Sequence, residues 1–537
     1  MAPLTPTPAS RMMHGVQDTV FAPVSSQSTA ATIAFSFQLM TRAEPPEIVI
    51  ATIKSLLAVK QAVDEILIID NNHTDKSLYQ PLAAFCESLD AALNVRFYHI
   101  DEIAGYKAGA LNLALAWMDR RCSHIVVVDS DYEALSHARE AMIQAINDYP
   151  EHTLLQFPQF YRSAHLEDIH SELNHYFNHH LYQPRNRMRA LSTGTYAVIR
   201  RHDLQQLGGW SGASITEDAQ MGVLMHRHDM RSAFIPTVIA TGLLPATLCD
   251  LLAQRQRWVY GNMQIFCRYL AAPLLRRLHP TYAASMATTK HSKAEQRRYQ
   301  RAHLSQLSAW VNGTGILILL QLITVMLMAL TLIVGHDSTW ALPILAVIYA
   351  GYGVFLLRRL WAYLRDQAPL TQQMQRGYRH SIPKRLRTWL MHLNFWEVGA
   401  LCWLPVLWGR QKPFVCTPKV APDATQSALK HANRRALPKL LLMLNALTAL
   451  LVSPLSAAYS PILFVCALTV FGLKLIAARL ALANYSAASE AEYLHSLPEP
   501  SASFPLLNTE YVKPLNIQKM PSIETTDRVQ DKQTINF

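Results

Sequence analysis

Two long runs without a charged residue constrain this chain more than any other feature. They occupy residues 309–334 and 339–357, and each is long enough to cross the hydrocarbon core of a bilayer as a helix. A second apolar pair lies at residues 440–457 and 459–473. We therefore predict two membrane hairpins and a multi-pass protein that has the lipid bilayer as a partner.

Positive charge follows the ends of these runs. The formal net charge is +11 at pH 7, and lysine and arginine concentrate before the first run, after the second and before the third. By the positive-inside rule these segments are cytoplasmic, and the short loops GHDS and YS face outward. This predicts an inner (cytoplasmic) membrane protein whose soluble domain is cytosolic. Because the charge tracks membrane ends, no nucleic-acid partner is expected.

Residues 389–409 are also apolar, but basic stretches flank both of their ends, so a single crossing would leave one basic flank outside. Trp389, Trp396 and Trp403 recur every seven residues and would share roughly one face of a helix. A helix that lies in the membrane interface satisfies both observations. A fifth span is the alternative.

The other boundaries follow from composition. The 7 cysteines form no metal-ligand pattern, so reduced thiols are expected, and no cleaved signal peptide is recognisable. We divide the chain into a disordered N-terminal segment (1–32), a soluble domain (33–270), a basic interfacial linker (271–308), a transmembrane hairpin (309–358), a cytosolic and interfacial segment (359–436), a second hairpin (437–482) and a cytosolic disordered tail (483–537).

Strand-like and helix-like runs alternate in the soluble domain. The strand-like runs are IAFSFQLMT, EILIID, RFYHID and HIVVVDSD, and the helix-like runs between them include EIVIATIKSLLAV and YKAGALNLALAWM. This alternation predicts an α/β fold with a doubly wound, mostly parallel sheet. Such sheets bind ligands at the carboxyl ends of their strands, where Asp70, Asp101, Asp129 and Asp131 stand. Neither the dinucleotide fingerprint nor the ATPase loop is present.

Two short stretches suggest phosphate chemistry. VVVDSDY places Asp129 and Asp131 one residue apart after a strand, and such a pair can hold a divalent cation with a diphosphate. A turn with two solvated acids is the alternative. In GYKAGALN, Lys107 stands beside glycines at a predicted helix start, which suits close approach of a phosphorylated ligand. An ordinary first-turn lysine is the alternative.

Two further stretches precede the first apolar run. TED (216–218) comes directly before a predicted helix, so Asp218 is a candidate general base. Alternatively, Thr216 or Asp218 caps that helix. QRQRWVYGN (254–262) gathers arginine, glutamine and aromatic side chains some fifty residues before the apolar run, and a membrane-interface belt is one explanation.

In order along the chain, IIDNN, GYKAGALN, DSD, STGT, TED and QRQRW resemble the motifs of processive family-2 glycosyltransferases, namely cellulose synthases and, more distantly, hyaluronan and chitin synthases. The resemblance covers residues 35–270 closely and continues in outline to residue 419. It implies a GT-A fold on the cytosolic face, a UDP-sugar donor, Mg²⁺ or Mn²⁺ as cofactor, and a polysaccharide or glycan acceptor.

The resemblance also implies residue roles. Asp70 would contact the uridine, and Asp129 and Asp131 would hold the metal and the diphosphate. Asp218, beside Glu217, would be the base that activates the acceptor hydroxyl for inverting attack. Arg255 and Tyr260 remain candidates for the membrane interface. The other implied contacts are Thr41, Glu44 and Lys107 with the nucleotide sugar, and Gly194, Gln254, Arg257 and Trp258 with the acceptor or diphosphate.

KPFVCTPK (412–419) resembles the gating loop of cellulose synthase, with Phe414, Thr417 and Lys419 in register and Cys416 in place of a valine. A linker between membrane helices, made rigid by two prolines, is the alternative. Four spans are few for an export channel, so a partner subunit for export is one expectation. No cyclic-di-GMP-binding module is recognisable after the last run.

The leading hypothesis is an inverting, metal-dependent membrane glycosyltransferase that extends a β-linked polysaccharide from a UDP-sugar. The alternative within enzymes is a non-processive transferase that adds one sugar to a lipid or short glycan. A different class, an inert membrane scaffold or export subunit, predicts loss of carboxylates at DSD or TED, and all of them are present.

Overall fold

A computed structural model describes residues 33–71, 75–162, 167–245, 247–270, 292–365, 381–409, 417–418, 426–435, 439–453 and 460–496. Its strands are β1 (Phe35–Thr41), β2 (Glu65–Asp70), β3 (Val95–His99), β4 (His124–Asp129), β5 (Tyr132–Ala134), β6 (Leu154–Gln156), β7 (Ala197–Arg200), β8 (Ser232–Phe234) and β9 (Ala240–Gly242). Seven of them form one sheet in the order β3-β2-β1-β4-β7-β6-β8, and β5 pairs with β9. The predicted strands and the doubly wound fold class are confirmed.

The sheet is mostly parallel. β1 runs parallel to β2 and β4, and β2 to β3, whereas β7 is antiparallel to both of its neighbours. In this register Thr41 pairs with Asp70 and Met40 pairs with Asp129. The carboxyl ends of three strands therefore meet at one edge, which is where open α/β sheets bind ligands.

Helices cover both faces of the sheet. In β2, Ile66 and Ile68 belong to one hydrophobic core and Leu67 and Ile69 to the other, because successive strand residues point to opposite faces. The soluble-domain helices are α1 (Pro46–Val59), α2 (Lys76–Glu87), α3 (Tyr106–Trp117), α4 (Ala138–Asp148), α5 (Glu167–Tyr176), α6 (Pro184–Arg187), α7 (Arg201–Leu207), α8 (Glu217–Arg227) and α9 (Leu248–Ile265).

The C-terminal part is helical. Four of its segments are long and apolar enough to cross a membrane, namely 314–333, 341–365, 382–408 and 460–483. They share a hydrophobic core with the shorter helix 440–452. The helices are α10 (Lys293–Leu307), α11 (Thr314–Ile333), α12 (Ala341–Arg365), α13 (Ile382–His392), α14 (Trp396–Leu401), α15 (Gln426–Arg435), α16 (Leu440–Val452) and α17 (Ser460–Ser496).

The predicted interfacial segment 389–409 is not one regular helix. It comprises the end of α13, a 3₁₀ turn, α14 and a second 3₁₀ turn. It overlaps the apolar segment 382–408. Half of the most apolar part of that segment is buried within the protein, against 28% to 33% for the other three segments. Its greater burial reflects packing against its neighbours, and whether it lies in the interface or crosses the membrane stays a prediction.

The helix α17 is longer than expected and contains a buried lysine. It continues to Ser496, past the predicted start of the disordered tail at residue 483, because the alanine-rich sequence after residue 476 favours helix. Lys474 is fully buried within it and donates a hydrogen bond to the Leu393 carbonyl oxygen. A buried lysine with a carbonyl partner thus links α17 to the segment between α13 and α14.

Candidate active site

Thr41, Asp70 and His99 meet at the carboxyl edge of the sheet because β1, β2 and β3 are adjacent and parallel. The Asp70 carboxylate is fully buried and accepts a hydrogen bond from Thr41 Oγ1 at 2.5 Å, while His99 Nδ1 lies 2.7 Å from its other oxygen. The His99 ring stacks on Tyr79 with ring centroids 3.6 Å apart. The buried Asp70 carboxylate therefore links the ends of β1 and β3 through these contacts. Thr41 lines the surface of the site.

Asp129 and Asp131 leave the end of β4 in different surroundings. Asp129 accepts a hydrogen bond from Lys107 Nζ at 2.6 Å, and its backbone N–H donates to Thr195 Oγ1 at 3.0 Å. Asp131 is buried and accepts the backbone N–H of Leu243 at 3.2 Å. Both predicted carboxylates therefore follow β4 and line one cavity, and a lysine is bound to Asp129. Asp101, in contrast, has a side chain that is 83% exposed and lies away from this pair.

Glycines place Lys107 at the start of α3. The helix begins at Tyr106, directly after Gly105, whose φ is +81°. A Cβ atom at Gly109 would lie 1.9 Å from the Ala104 carbonyl oxygen. Only glycine lets the first turn approach the preceding loop so closely. The glycines of GYKAGALN therefore allow the backbone conformation in which Lys107 reaches Asp129.

The TED stretch opens α8, which begins at Glu217. Among the described residues Thr216 makes no capping hydrogen bond with its side chain, and its Oγ1 atom lies 3.1 Å from Ser214 Oγ instead. Asp218 lies inside the first turn rather than at the cap position. The capping alternative was therefore wrong for Thr216, because the loop before α8 offers its hydroxyl a different partner. The Asp218 carboxylate accepts the backbone N–H of Ala219 in the first turn.

Asp218 sits among charges that shift its proton affinity. The pKa of the Asp218 carboxyl is raised to about 7, first by burial and then by the neighbouring Glu217, while Lys107 acts in the opposite direction. Burial lowers the pKa of the Lys107 ammonium, but Asp129, Glu217 and Asp218 outweigh burial and raise it. The site thus pairs a carboxyl that titrates near neutrality with a lysine that stays charged.

Gly194 brings the STGT loop against Asp218. Its φ is +98°, and a Cβ atom there would lie 3.1 Å from Asp218 Oδ2 and 3.8 Å from Lys107 Nζ. Gln156 holds the loop: its side chain accepts the Thr193 N–H at 2.9 Å and donates to the Thr195 carbonyl oxygen at 2.9 Å. At Gly194, where there is no side chain, the loop backbone therefore faces the candidate base.

The stretch QRQRW lies in α9, across the site from Asp218. Gln254, Arg257 and Trp258 all line the same cavity as the carboxylates. Arg257 Nη2 lies 3.5 Å from Thr417 Oγ1, a long hydrogen bond to the gating-like stretch. Phe414 and Lys419, the other two predicted residues of that stretch, lie outside the described residues.

Arg255 does not face a membrane. It is fully buried, its Nε atom donates to Glu172 Oε1 at 2.6 Å, and its Nη2 atom donates to the Tyr161 hydroxyl at 3.2 Å. The guanidinium also lies 4.0 Å from the centre of the Trp258 ring and donates to the Gln254 side chain. Tyr260 is equally buried. The interface assignment of Arg255 and Tyr260 was therefore wrong, since both pack inside the protein.

These groups surround one cavity of about 220 Å³. It unites nearly every predicted site residue of the described part of the chain; Asp70 lies behind its wall. The predicted residues at the cavity are Thr41, Glu44, Lys107, Asp129, Asp131, Gly194, Glu217, Asp218, Gln254, Arg257, Trp258 and Thr417.

Two family models match overlapping parts of this sequence. The sequence matches Glycosyl transferase family 2 over residues 39–208 and Glycosyl transferase family group 2 over residues 124–357. It is 34% identical over 73 residues, or 14% of this chain, to Cellulose synthase 1 catalytic subunit (UDP-forming) of Komagataeibacter xylinus. It is 27% identical over 235 residues, or 41% of this chain, to the cellulose synthase catalytic subunit of Xanthomonas axonopodis pv. citri. The part of the chain that these models match, residues 39–357, is a cellulose synthase-like family-2 glycosyltransferase.

The matches cover 10% and 30% of the length of those two synthases. The similarity of this family-2 glycosyltransferase to them is therefore limited to a part of each synthase. Among solved structures, the mannosyltransferase PcManGT from Pyrobaculum calidifontis aligns with a TM-score of 0.42 and 16% identity, covering 70% of this chain and 88% of that one.

The cavity of the glycosyltransferase also contains aromatic residues that the sequence did not reveal. Trp310 lies 6.0 Å from Trp258 between ring centroids and stacks on Tyr176 at 5.7 Å. Gln306 and Tyr161 line the cavity as well. Trp310 belongs to the run 309–334, where hydropathy cannot separate a cavity residue from a membrane residue. In the structure Trp310 lies beside Trp258 of α9, and this contact identifies it as a cavity residue.

Proposed function

We propose that this chain is an inverting, metal-dependent membrane glycosyltransferase that transfers a sugar from a UDP-sugar to the growing end of a β-linked polysaccharide. The observation that carries the proposal is the position of Asp218. Its carboxylate shares one cavity with Lys107 and Asp129 on the sheet side and with Arg257 and Trp258 on the α9 side. A diphosphate and an acceptor sugar would therefore meet at the carboxylate.

In the proposed reaction the acceptor hydroxyl attacks the anomeric carbon of the donor sugar on the face opposite the diphosphate. A carbon–oxygen bond to the acceptor forms as the bond to the phosphate oxygen breaks. The hydroxyl proton passes to an Asp218 oxygen and UDP leaves. The pKa of about 7 suits Asp218 to this role, because a general base works best when its pKa lies near the working pH.

The proposed metal is Mg²⁺ or Mn²⁺, held by Asp129 and Asp131. Among the described residues no group of three or more histidine, cysteine, aspartate or glutamate side chains is arranged to hold a metal. Two carboxylates nevertheless fit a cation that completes its shell with phosphate oxygens and water, as Mg²⁺ does in many phosphate sites. Such a cation would stabilise charge on the leaving diphosphate. Lys107 would add a second positive charge on the same side.

The acceptor side supports a polymerase. Trp258 and Trp310 offer ring faces to a sugar, and the Arg257–Thr417 contact joins this side to the gating-like stretch. Four apolar segments follow the catalytic domain, and the lysine and arginine clusters at their ends support our proposal that this domain lies on the cytosolic face of the inner membrane. We propose that a partner subunit completes the export path.

The test uses membranes that contain the full chain and a panel of labelled UDP-sugars, with analysis of product linkage and length. We expect a β-linked polymer from one donor. In Asp218→Asn the rate should fall by about a hundredfold or more, the effect of losing a positioned base, while UDP binding persists. A product one sugar long would replace the polymerase by the single-addition alternative, and an undiminished rate in Asp218→Asn would remove Asp218 as the base.

A further inference from the structure

The helix α9 continues beyond QRQRW and meets the loop that precedes α8. At Gly261 a Cβ atom would lie 2.6 Å from Thr216 Oγ1 and 2.9 Å from Ile215 Cγ1. Gly261 is therefore a contact point at which the backbone of α9 touches the residues just ahead of TED. Any side chain at residue 261 would push this loop away from α9.

Hydrogen bonds join the same two segments. Gln264 Oε1 accepts the backbone N–H of Ile215 at 3.2 Å and lies 3.4 Å from Ser214 Oγ. Ser214 Oγ also lies 3.1 Å from the Gly261 carbonyl oxygen, so its single hydroxyl hydrogen is shared between the two acceptors. The Thr216 N–H in turn donates to Ser214 Oγ at 3.2 Å. The three residues before Glu217 are thus anchored to α9.

This anchoring replaces the helix cap. Because the Thr216 side chain does not cap α8, the direction of the first turn depends on how the Ser214–Thr216 loop is held. Asp218 lies in that first turn, two residues after Thr216. About one turn before Gly261, the same helix carries Arg257 and Trp258. The spacing between the candidate base and the acceptor side is therefore determined by one helix.

We infer that Gln264, with Gly261, is a positioning residue that sets the Asp218 carboxylate relative to the acceptor hydroxyl; the inference rests on the proposed function. Gln264 lies outside the cavity wall, whereas the diphosphate contacts come from α3 and β4. Its loss should consequently slow the chemical step without weakening donor binding. Geometry of this kind matters because a small misplacement of a reacting group lowers the rate steeply.

The experiment compares three single variants in the full chain. Gln264→Met keeps the side-chain size but removes the acceptor for the Ile215 N–H. Gln264→Glu retains an acceptor oxygen. Gln256→Met makes the same chemical change on an exposed position of the same helix and serves as the matched control. For each variant kcat, KM for the UDP-sugar, UDP affinity and melting temperature are measured.

We expect kcat of Gln264→Met to fall about fivefold to tenfold, the effect of one hydrogen bond, with KM and UDP affinity unchanged. Gln264→Glu should stay within about twofold of the unmodified chain, and Gln256→Met should match it. An unchanged kcat in Gln264→Met would overturn the inference, and so would a loss that Gln264→Glu fails to restore.

Two further outcomes are separated by design. If Gln264→Met does not fold, Ser214→Ala removes the shared hydroxyl at almost constant volume, and it should lower kcat alone; an unchanged kcat in Ser214→Ala then overturns the inference. If the unmodified chain transfers no sugar from any UDP-sugar, the proposed function fails rather than the positioning role. The two failures are therefore distinguishable.

Discussion

The titration of Asp218 predicts a particular pH profile. With a pKa of about 7, the carboxylate fraction is about nine tenths at pH 8, about one half at pH 7 and about one tenth at pH 6. If Asp218 takes the acceptor proton, kcat/KM should fall in these proportions as the pH is lowered, because kcat/KM reports the free enzyme. An ordinary aspartate, ionised throughout this range, would leave the rate unchanged.

A substitution fixes the sign of the effect. The negative charge of Glu217 raises the pKa of Asp218, so Glu217→Gln should move the midpoint of the profile to lower pH and preserve activity at pH 6. Lys107 lowers the same pKa, so Lys107→Met should move the midpoint to higher pH. The exposed Glu47 provides the control, since Glu47→Gln changes the same charge away from the site and should leave the midpoint in place.

The assay is initial sugar incorporation from a UDP-sugar well below its KM, in buffers of constant ionic strength between pH 5.5 and 8.5. Ionic strength is held constant because salt screens charge interactions. A flat profile between pH 6 and 8 would refute the argument that burial and Glu217 set the proton affinity of the base. A shift to higher pH in Glu217→Gln would refute the assigned direction.

Three further predictions concern geometry and stability. Gly194→Ala should lower kcat about tenfold, because the new methyl group would press on the Asp218 carboxylate, whereas Gly208→Ala, with φ of +88° and open space around it, adds the same backbone strain and should leave kcat unchanged. Arg255→Met should destabilise the fold by about 3–5 kcal/mol, measured by unfolding in detergent, because it leaves the buried Glu172 carboxylate without its cation; a Glu172→Leu partner substitution should recover part of this loss, and no recovery would contradict the pairing. Thr417→Val should lower the rate by no more than about threefold, since its bond to α9 is long, and a much larger loss would show that Thr417 contacts substrate directly.

Much of the fold could be predicted from local sequence pattern. The runs EILIID and HIVVVDSD became buried parallel strands because short, continuous apolar runs are typical of strands covered on both faces. YKAGALNLALAWM became α3 because alanine and leucine favour helix. The acidic residues at strand ends followed from that topology. Of these, Asp70 and Asp101 separate in three dimensions: one is fully buried beneath the edge and the other is exposed.

Where short-range pattern was ambiguous, tertiary packing decided. Arg255 and Arg257 stand two residues apart in one basic, aromatic stretch, yet one is buried against Glu172 and the other faces the cavity, because residues two apart on a helix point in different directions. Trp310 reads as the start of a membrane span but packs beside Trp258. Hydropathy records how apolar a side chain is and not which surface covers it.

The sequence by itself determined the parallel sheet, the apolar helices and the set of residue types that meet at the site, since each follows from periodicity, length and order along the chain. Only the tertiary structure decided the state of those residues. Asp218 titrates near neutrality because burial and Glu217 raise its pKa more than Lys107 lowers it. The loop ahead of it is held by α9 instead of by a cap. Proton affinity and orientation depend on neighbours brought together from distant parts of the chain, and such neighbours appear only when the chain has folded.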